Sequence, residues 1–321
     1  MNAEFEIINA IRKRFPEFIG DDCAVIEDIE DKILLTTDEM VEGVHFSFDY
    51  MSAADVGYKS VSAAVSDIAA MGGKAVGVMI SLSISASFGM TETMRFYDGV
   101  NTFIRPLRIK LLGGNITKSD AGFHAVIGVL GTAKRPVYRH GARVGDKIWV
   151  TGVLGGSLAG LMLLTGKAEG NNLSKVEREL MIIRHKRPRC RLEAGEIIAS
   201  FSPSSMIDIS DGFWADLTHI ANESNVGVLV ELERLPVFPG IEKVASELRM
   251  VPHIFAAKSG EEYELIFTAS EDVGRKIARV LKDELDVPVC MVGEVTKSER
   301  TAKLCGEKIN PDLLSGWVHE V

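Results

Sequence analysis

At 321 residues the chain is too long for one ordinary hydrophobic core and suits two domains. Its composition, 46% hydrophobic and 25% charged, is that of a soluble globular protein, and no apolar run reaches the roughly 18–20 residues that would span a bilayer. A formal net charge of −9 disfavours non-specific nucleic-acid binding, which needs a basic footprint, and requires cations or local Arg and Lys wherever an anionic substrate binds.

The chain begins Met1-Asn2-Ala3-Glu4-Phe5-Glu6, without the basic-then-apolar order of a secretory signal. Phe5, Ile8, Ile11 and Phe15 have helical spacing and predict a short amphipathic helix over residues 4–15. Gly20-Asp21-Asp22-Cys23-Ala24-Val25-Ile26 reads as a turn feeding a strand, in which the two aspartates are either turn chemistry or oxygen ligands. The stretch from Leu34 to Phe46 begins as a buried strand and ends in a loop holding Thr36, Thr37, Asp38, Glu39, Glu42 and His45. Such a strand end suits a hard cation: Mg²⁺ prefers oxygen donors and recruits substrate phosphates to complete its shell. The alternative there is a polar surface turn. Ser52-Ala53-Ala54-Asp55 has capping-box spacing and predicts a helix to about residue 71. Residues 61–73 of that tract are small or apolar apart from one carboxylate, Asp67. A lone carboxylate among small residues is costly to bury unless a cation or strong donors meet it, so a metal-facing role is favoured over exposure.

A strand over residues 75–85 and a helix over 91–107 follow, with Tyr97 a core-edge aromatic by default. Residues 110–117 predict a short strand ending in Gly113-Gly114-Asn115, where glycines would let backbone N–H groups approach a phosphate. Another strand covers 124–132. The strands alternate rather than run continuously apolar, which favours an α+β sheet with one face covered. A linker over 137–145, carrying Arg139, leads into a strand over 146–151. The glycines of Gly152-Val153-Leu154-Gly155-Gly156-Ser157 match neither a phosphate loop nor a dinucleotide motif nor a nucleophile elbow, and read as a tight strand-to-helix junction. Met206-Ile207-Asp208-Ile209-Ser210-Asp211-Gly212 reads as a strand with Asp208 and Ser210 on one face, a second acidic rim. Alternatively, Ser210 or Asp211 caps a helix over 213–224. An acidic turn over 259–264, a helix over 272–284, a strand near 289–295 and a hairpin-like tail complete the chain. Cys23, Cys190, Cys290 and Cys305 are scattered with no CxxC pair, which fits a reducing cytoplasm without a disulfide framework or zinc site.

Six motifs in order, Gly-Asp-Asp-Cys-Ala-Val, Thr-Thr-Asp-x-x-Val-Glu-Gly-Val-His-Phe, Ser-Asp-Ile-Ala-Ala-Met-Gly, Gly-Gly-Asn-x-Thr, Ile-Asp-Ile-Ser-Asp-Gly and Ser-Gly-Glu-Glu-Tyr-Glu-Leu, resemble the thiamine-monophosphate kinase family of the aminoimidazole ribonucleotide synthetase superfamily. The resemblance runs from about residue 4 to Trp317. It implies an α+β, two-domain fold, with an N-terminal α/β domain over residues 1–136 for metal binding, ATP binding and dimerisation, and an α+β domain over 137–321. It also implies a cytoplasmic homodimer whose N-terminal domains share a β-barrel. The implied reaction is ATP-dependent, Mg²⁺-assisted, in-line phosphorylation of thiamine monophosphate to thiamine diphosphate, with no covalent nucleophile and no nucleic-acid or membrane partner. Carried over position by position, Asp22, Thr36, Thr37, Asp38, Asp67, Asn115, Asp208 and Asp211 fall at metal-ligand positions. Tyr97, Gly114, Arg139 and Ser210 fall at nucleotide contacts, and His45, Glu261 and Trp317 at substrate contacts. Two positions depart from the family pattern. Asn115 stands where Asp is usual, exchanging a charge for a weaker amide oxygen, and Glu262 replaces Asp, a longer arm expected near the substrate. The alternatives are another ATP-dependent enzyme of the superfamily, such as an aminoimidazole ribonucleotide synthetase, or a non-catalytic protein binding thiamine phosphates or nucleotide.

Overall fold

The computed structural model describes residues 24–26, 31–85 and 88–316. The helix expected over residues 4–15, Asp22 and Trp317 lie outside the described residues. The first half builds a sheet from β1 (Ala24–Ile26), β2 (Lys32–Val41), β3 (Lys74–Ile84), β4 (Lys110–Lys118) and β5 (His124–Ala133), in the order β1-β2-β5-β3-β4. Its pairings are antiparallel except for the parallel β3–β4 edge. Two helices, α1 (Ala53–Ala70) and α2 (Gly89–Ile104), accompany it. Alternation along β2 and β5 puts Leu34, Met40, Ala125, Ile127 and Val129 in the core beneath α1. The opposite face leaves Leu35, Met79 and Val126 exposed.

The capping box at Ser52 and Asp55 is formed as the spacing predicts. The small residues of α1 have a direct packing reason. A Cβ on Gly57 would come within 2.0 Å of the Phe96 carbonyl oxygen, and one on Gly99 within 1.9 Å of the Ala54 carbonyl oxygen. The two helices therefore touch backbone to backbone.

β2 runs further than the sequence suggests. It pairs with β5 without interruption from Lys32↔Ala133 to Val41↔His124, so Thr36, Thr37, Asp38 and Glu39 belong to the strand rather than to a loop. Side-chain alternation then puts Thr36 and Asp38 on the covered face, and Thr37 and Glu39 on the other.

The second half forms a seven-stranded sheet in the order β12-β11-β8-β10-β6-β9-β7. Its strands are β6 (Lys147–Thr151), β7 (Ser205–Asp208), β8 (Gly227–Glu231), β9 (Leu265–Ala269), β10 (Val289–Thr296), β11 (Arg300–Leu304) and β12 (Glu307–Ile309). The helices are α3 (Gly156–Leu164), α4 (Lys175–Lys186), α5 (Leu192–Ser200), α6 (Phe213–Glu223), α7 (Ile241–Glu247), α8 (Pro252–Lys258) and α9 (Glu271–Leu285). Trp149, Met206 and Phe267 on one face of this sheet join the apolar core of the first half, while Ile148, Val150, Ile207 and Ile266 on the other build a second core. Neither sheet closes into a barrel among the described residues.

One stripe of α1 ties the halves together. Asp55 meets Arg187 at 2.7 Å and Lys59 meets Glu261 at 2.6 Å. The Ser62 hydroxyl donates to the Pro188 carbonyl at 2.7 Å, and that of Ser66 donates to the Asp208 carboxylate at 2.6 Å. The steps of four, three and four residues keep all four on one helix face.

Candidate active site

A cavity of about 600 Å³ opens where the end of β2, α1, the start of α3, the end of β7 and the loop before β9 converge. Of the residues expected from the sequence, Thr37, Asp38, His45, Asp67, Asp208, Ser210, Asp211 and Glu261 line it. Thr36 stands behind this wall, its hydroxyl donating to the Asp67 carboxylate at 2.5 Å. Tyr97, Gly114, Asn115 and Arg139 do not line it.

The reason is geometric for Asn115. It pairs with Ser81, which pairs with Val126, which pairs with Glu39. That row lies on the uncovered face and β4 stands three strands from β2, so within one chain Asn115 lies across the sheet from Asp38 and about 14 Å away at about 4.8 Å per strand. Gly114 is explained by strand contact, since a Cβ there would sit 2.0 Å from the Ile80 carbonyl oxygen. Tyr97 packs edge-on against Phe96, with centroids 5.6 Å apart.

One part of the cavity is acidic. Asp38, Asp67, Asp208 and Asp211 share its wall, and Asp208 is only 3% exposed. Two such charges about 4 Å apart cost about 4 kcal/mol at an effective dielectric near 20. Hydroxyl donors at Thr36 and Ser66 offset part of this, and an oxygen-rich, anionic wall of carboxylates fits a divalent hard cation.

Sequence reasoning missed Asp216, which holds this wall in place. It is 2% exposed and accepts the N–H groups of Ser210, Asp211 and Gly212 at 3.1, 3.2 and 3.0 Å. Burial, then the charges of Asp211 and Asp208, push its carboxyl well above the usual carboxylate range. The expected cap by Ser210 or Asp211 is therefore corrected: Gly212 is the N-cap of α6 without a side-chain bond, and Asp216 takes up the turn. The available signal was a carboxylate in the first turn of a helix, where free N–H groups favour an anion. Ligand atoms of Asp211, Asp216 and His219 lie within 4.8 Å of one another, a group able to hold a metal ion.

The cavity also has aromatic and apolar lining, from Val44, His45, Tyr50, Leu158, Leu161 and His185, of which His45, Tyr50 and His185 face Glu261. His45 Nδ1 accepts the Val41 N–H at 3.0 Å. Glu261 is bound at one oxygen by Lys59, and its other oxygen lies 3.5 Å from His185 Nδ1. Burial, then the neighbouring Lys59 charge, lowers His185 to a pKa of about 3, so it is neutral here.

Glu262 is also corrected. It points away from the cavity and is 0% exposed. Its carboxylate accepts the N–H groups of Gly155 and Ser157 at 2.8 and 3.0 Å, the Ser259 hydroxyl at 2.6 Å and Arg184 Nε at 3.0 Å. Glu261 and Tyr263 on either side are left-handed, with φ of 55° and 50°. That backbone turns the two neighbours to the cavity while Glu262 and Glu264 are held inside. Gly155, just before α3, and Ser157 in its first turn thus bind this internal carboxylate, in keeping with a structural junction.

Residues 20–133 match the family model for the N-terminal domain of AIR synthase related protein, and residues 143–304 match that for its C-terminal domain. The thiamine-monophosphate kinase of Aquifex aeolicus (strain VF5) is 34% identical over 98% of this chain and 97% of its own length. That of Bacillus subtilis (strain 168) is 30% identical over 93% of each. Among solved structures, AaThiL complexed with AMPPCP and TMP superposes with a TM-score of 0.86 at 33% identity, covering 98% of this chain and 96% of that one. The hydrogenase maturation protein HypE in complex with ATP, at 17% identity and a TM-score of 0.70 over 90% of this chain and 86% of that one, shares the fold.

Proposed function

We propose, because the chain belongs to the AIR synthase related protein family and within it to the thiamine-monophosphate kinases, that it transfers the γ-phosphoryl group of ATP to thiamine monophosphate. The observation that carries this reading is one cavity with a carboxylate wall at Asp38, Asp67, Asp208 and Asp211 and an aromatic, histidine- and glutamate-lined part beside it. The first suits a triphosphate and a phosphate brought together by cations. The second suits a heteroaromatic head. Asp38, Asp67, Asp208 and Asp211 are the residues that would hold Mg²⁺, with the Thr36 hydroxyl behind them on Asp67 and the Thr37 side chain turned to the other face of the sheet. Bound Mg²⁺ would neutralise and orient the phosphate groups.

The protein's own contribution is positioning. Thr36 and Ser66 fix two of the carboxylates, and Asp216 fixes the turn carrying Ser210 and Asp211. A terminal oxygen of thiamine monophosphate attacks the γ-phosphorus in line as the bond to ADP breaks. A phosphate monoester is largely ionised at neutral pH, so no side chain is needed to remove a proton.

The same reading includes a cytoplasmic homodimer with N-terminal domains over residues 1–136 sharing a barrel and C-terminal domains over 137–321. It is supported by the apolar uncovered face of the first sheet, with Leu35, Met79 and Val126 between 37% and 50% exposed, and by β4, exposed along its whole length. In this arrangement Gly114 would reach a nucleotide, and Asn115 a metal ion, held by a second copy. No helix among the described residues is long and apolar enough to cross a membrane.

The test is formation of thiamine diphosphate from thiamine monophosphate and ATP with Mg²⁺, and its loss on chelation. Failure to form thiamine diphosphate, with turnover of a different phosphate acceptor or of none, refutes the assignment.

A further inference from the structure

Lys59 belongs to none of the motifs singled out in the sequence, and its surroundings are unusual. It lies in the middle of α1, is 1% exposed, and does not itself line the cavity. A buried ammonium is costly unless it is paired and hydrogen-bonded. Its Nζ is 2.6 Å from Glu261 Oε1, on the loop of the second half, and 3.5 Å from the His45 carbonyl oxygen, on the turn after β2. One cation therefore joins the two residues of the aromatic part that come from opposite halves of the chain. Glu261 in turn faces the cavity with its side chain 26% exposed. Each carboxylate oxygen has two acceptor positions, so Lys59 and His185 leave capacity for a ligand donor.

The groups facing Glu261 are Lys59 on α1, His185 on α4, His45 on the turn after β2, and Tyr50 and Tyr263. Burial alone would raise the Glu261 carboxyl. The Lys59 charge, ion-paired to it at 2.6 Å, outweighs burial and holds it below the ordinary value. The carboxylate is thus kept ionised and fixed in direction, able to accept but not to donate.

We propose that Lys59 is a specificity-determining positioning residue, which anchors Glu261 so that the cavity selects a heteroaromatic substrate bearing an amine donor. This rests on the assignment of thiamine monophosphate, whose aminopyrimidine carries such an amine. An analogue without the amine leaves a desolvated carboxylate without its donor. A hydrogen bond to a charged group contributes about 1.5–3 kcal/mol, which corresponds to a discrimination of roughly ten- to hundred-fold.

The experiment compares kcat and KM for thiamine monophosphate and for its 4-deamino analogue, alongside KM for ATP. The proteins are the wild type, Lys59→Met, and the paired variant Lys59→Met with Glu261→Gln, which leaves no lone buried charge. The wild type is expected to prefer the natural substrate at least ten-fold. Lys59→Met should lose most of that preference through KM, with KM for ATP within two-fold of wild type. The paired variant, with wild-type thermal stability, should not regain the preference. If either folded variant keeps the wild-type ratio, or if KM for ATP rises as much as that for thiamine monophosphate, Lys59 is merely structural. If Lys59→Met does not fold, Lys59→Arg, which keeps a buried cation but changes the direction in which it holds Glu261, takes its place and should lower the preference through KM; an unchanged ratio there overturns the proposal. A wild type that turns over both substrates equally overturns this proposal only, whereas a wild type that forms no thiamine diphosphate overturns the assignment beneath it.

Discussion

Replacing Glu262 by alanine tests whether the loop before β9 is held from inside. The side chain is fully buried and meets four donors: the N–H groups of Gly155 and Ser157, the Ser259 hydroxyl and Arg184 Nε. Alanine removes the acceptor from all four. Arg184 keeps its bonds to the Glu264 carboxylate at 2.7 Å and to the Glu262 carbonyl at 3.0 Å, so the guanidinium is not stranded entirely. Truncating one partner of a buried pair costs about 3–5 kcal/mol, out of a total stability of about 5–15 kcal/mol. Glu262→Gln keeps one oxygen for the start of α3 and loses the charged bond to Arg184, a cost of about 1.5–3 kcal/mol. Urea unfolding followed by the fluorescence of buried Trp149 and Trp214 measures both. A loss below about 1 kcal/mol for Glu262→Ala, or a raised KM for thiamine monophosphate with stability unchanged, would place the side chain in the cavity after all and refute the reasoning.

Two further outcomes are expected. Asp208→Asn removes one charge from the acidic wall and leaves an amide oxygen for the Ser66 hydroxyl. Turnover should fall by about 10²–10³, while the melting temperature without added metal stays level or rises; a lower melting temperature would mean that the carboxylates do not repel. Stability should also fall as pH drops from about 6.5 towards 5, because His185 has a folded-state pKa of about 3 and an unfolded one near 6.5, so the unfolded chain binds the extra proton. The slope is about 1.4 kcal/mol per pH unit for one group. Urea midpoints across this range should flatten in His185→Gln, and an unchanged slope would discount the buried neutral imidazole.

Much of the frame was legible because local rules and tertiary packing agree. The capping box at Ser52, the small-residue tract of α1 and the glycine junction before α3 each have one physical solution, and the chain adopts it. The acidic residues were legible as types, and Asp38, Asp67 and Asp208 do share one cavity. Their faces were not. Thr36, Thr37 and Asp38 read as one cluster until pairing with β5 fixes them in a strand, which turns Thr37 away from its neighbours. Asn115 looked adjacent by motif and is separated by three inter-strand spacings and a face, because only sheet order sets that distance. Lys59, Asp216 and Glu262 act through partners far away in sequence or through backbone N–H groups. Their residue types carry no mark that separates a buried anchor from a solvated charge.

These anchors also explain how the two parts of the cavity keep their spacing. Lys59, which holds Glu261, and Asp67, which stands in the acidic wall, are carried by the same helix. Eight residues at 1.5 Å each separate them by about 12 Å along its axis. Between the two lie no glycine and no proline, and the helix is buried along most of its length. Its length is therefore hard to vary. Ser62 and Ser66 on the same stripe bind the second half directly, so movement of one half relative to the other would break bonds next to both parts of the cavity. A rigid span of this size suits one molecule with a heteroaromatic head and a phosphate tail. It gives the chain a reason to place its interdomain contacts on α1 rather than on the more exposed α2.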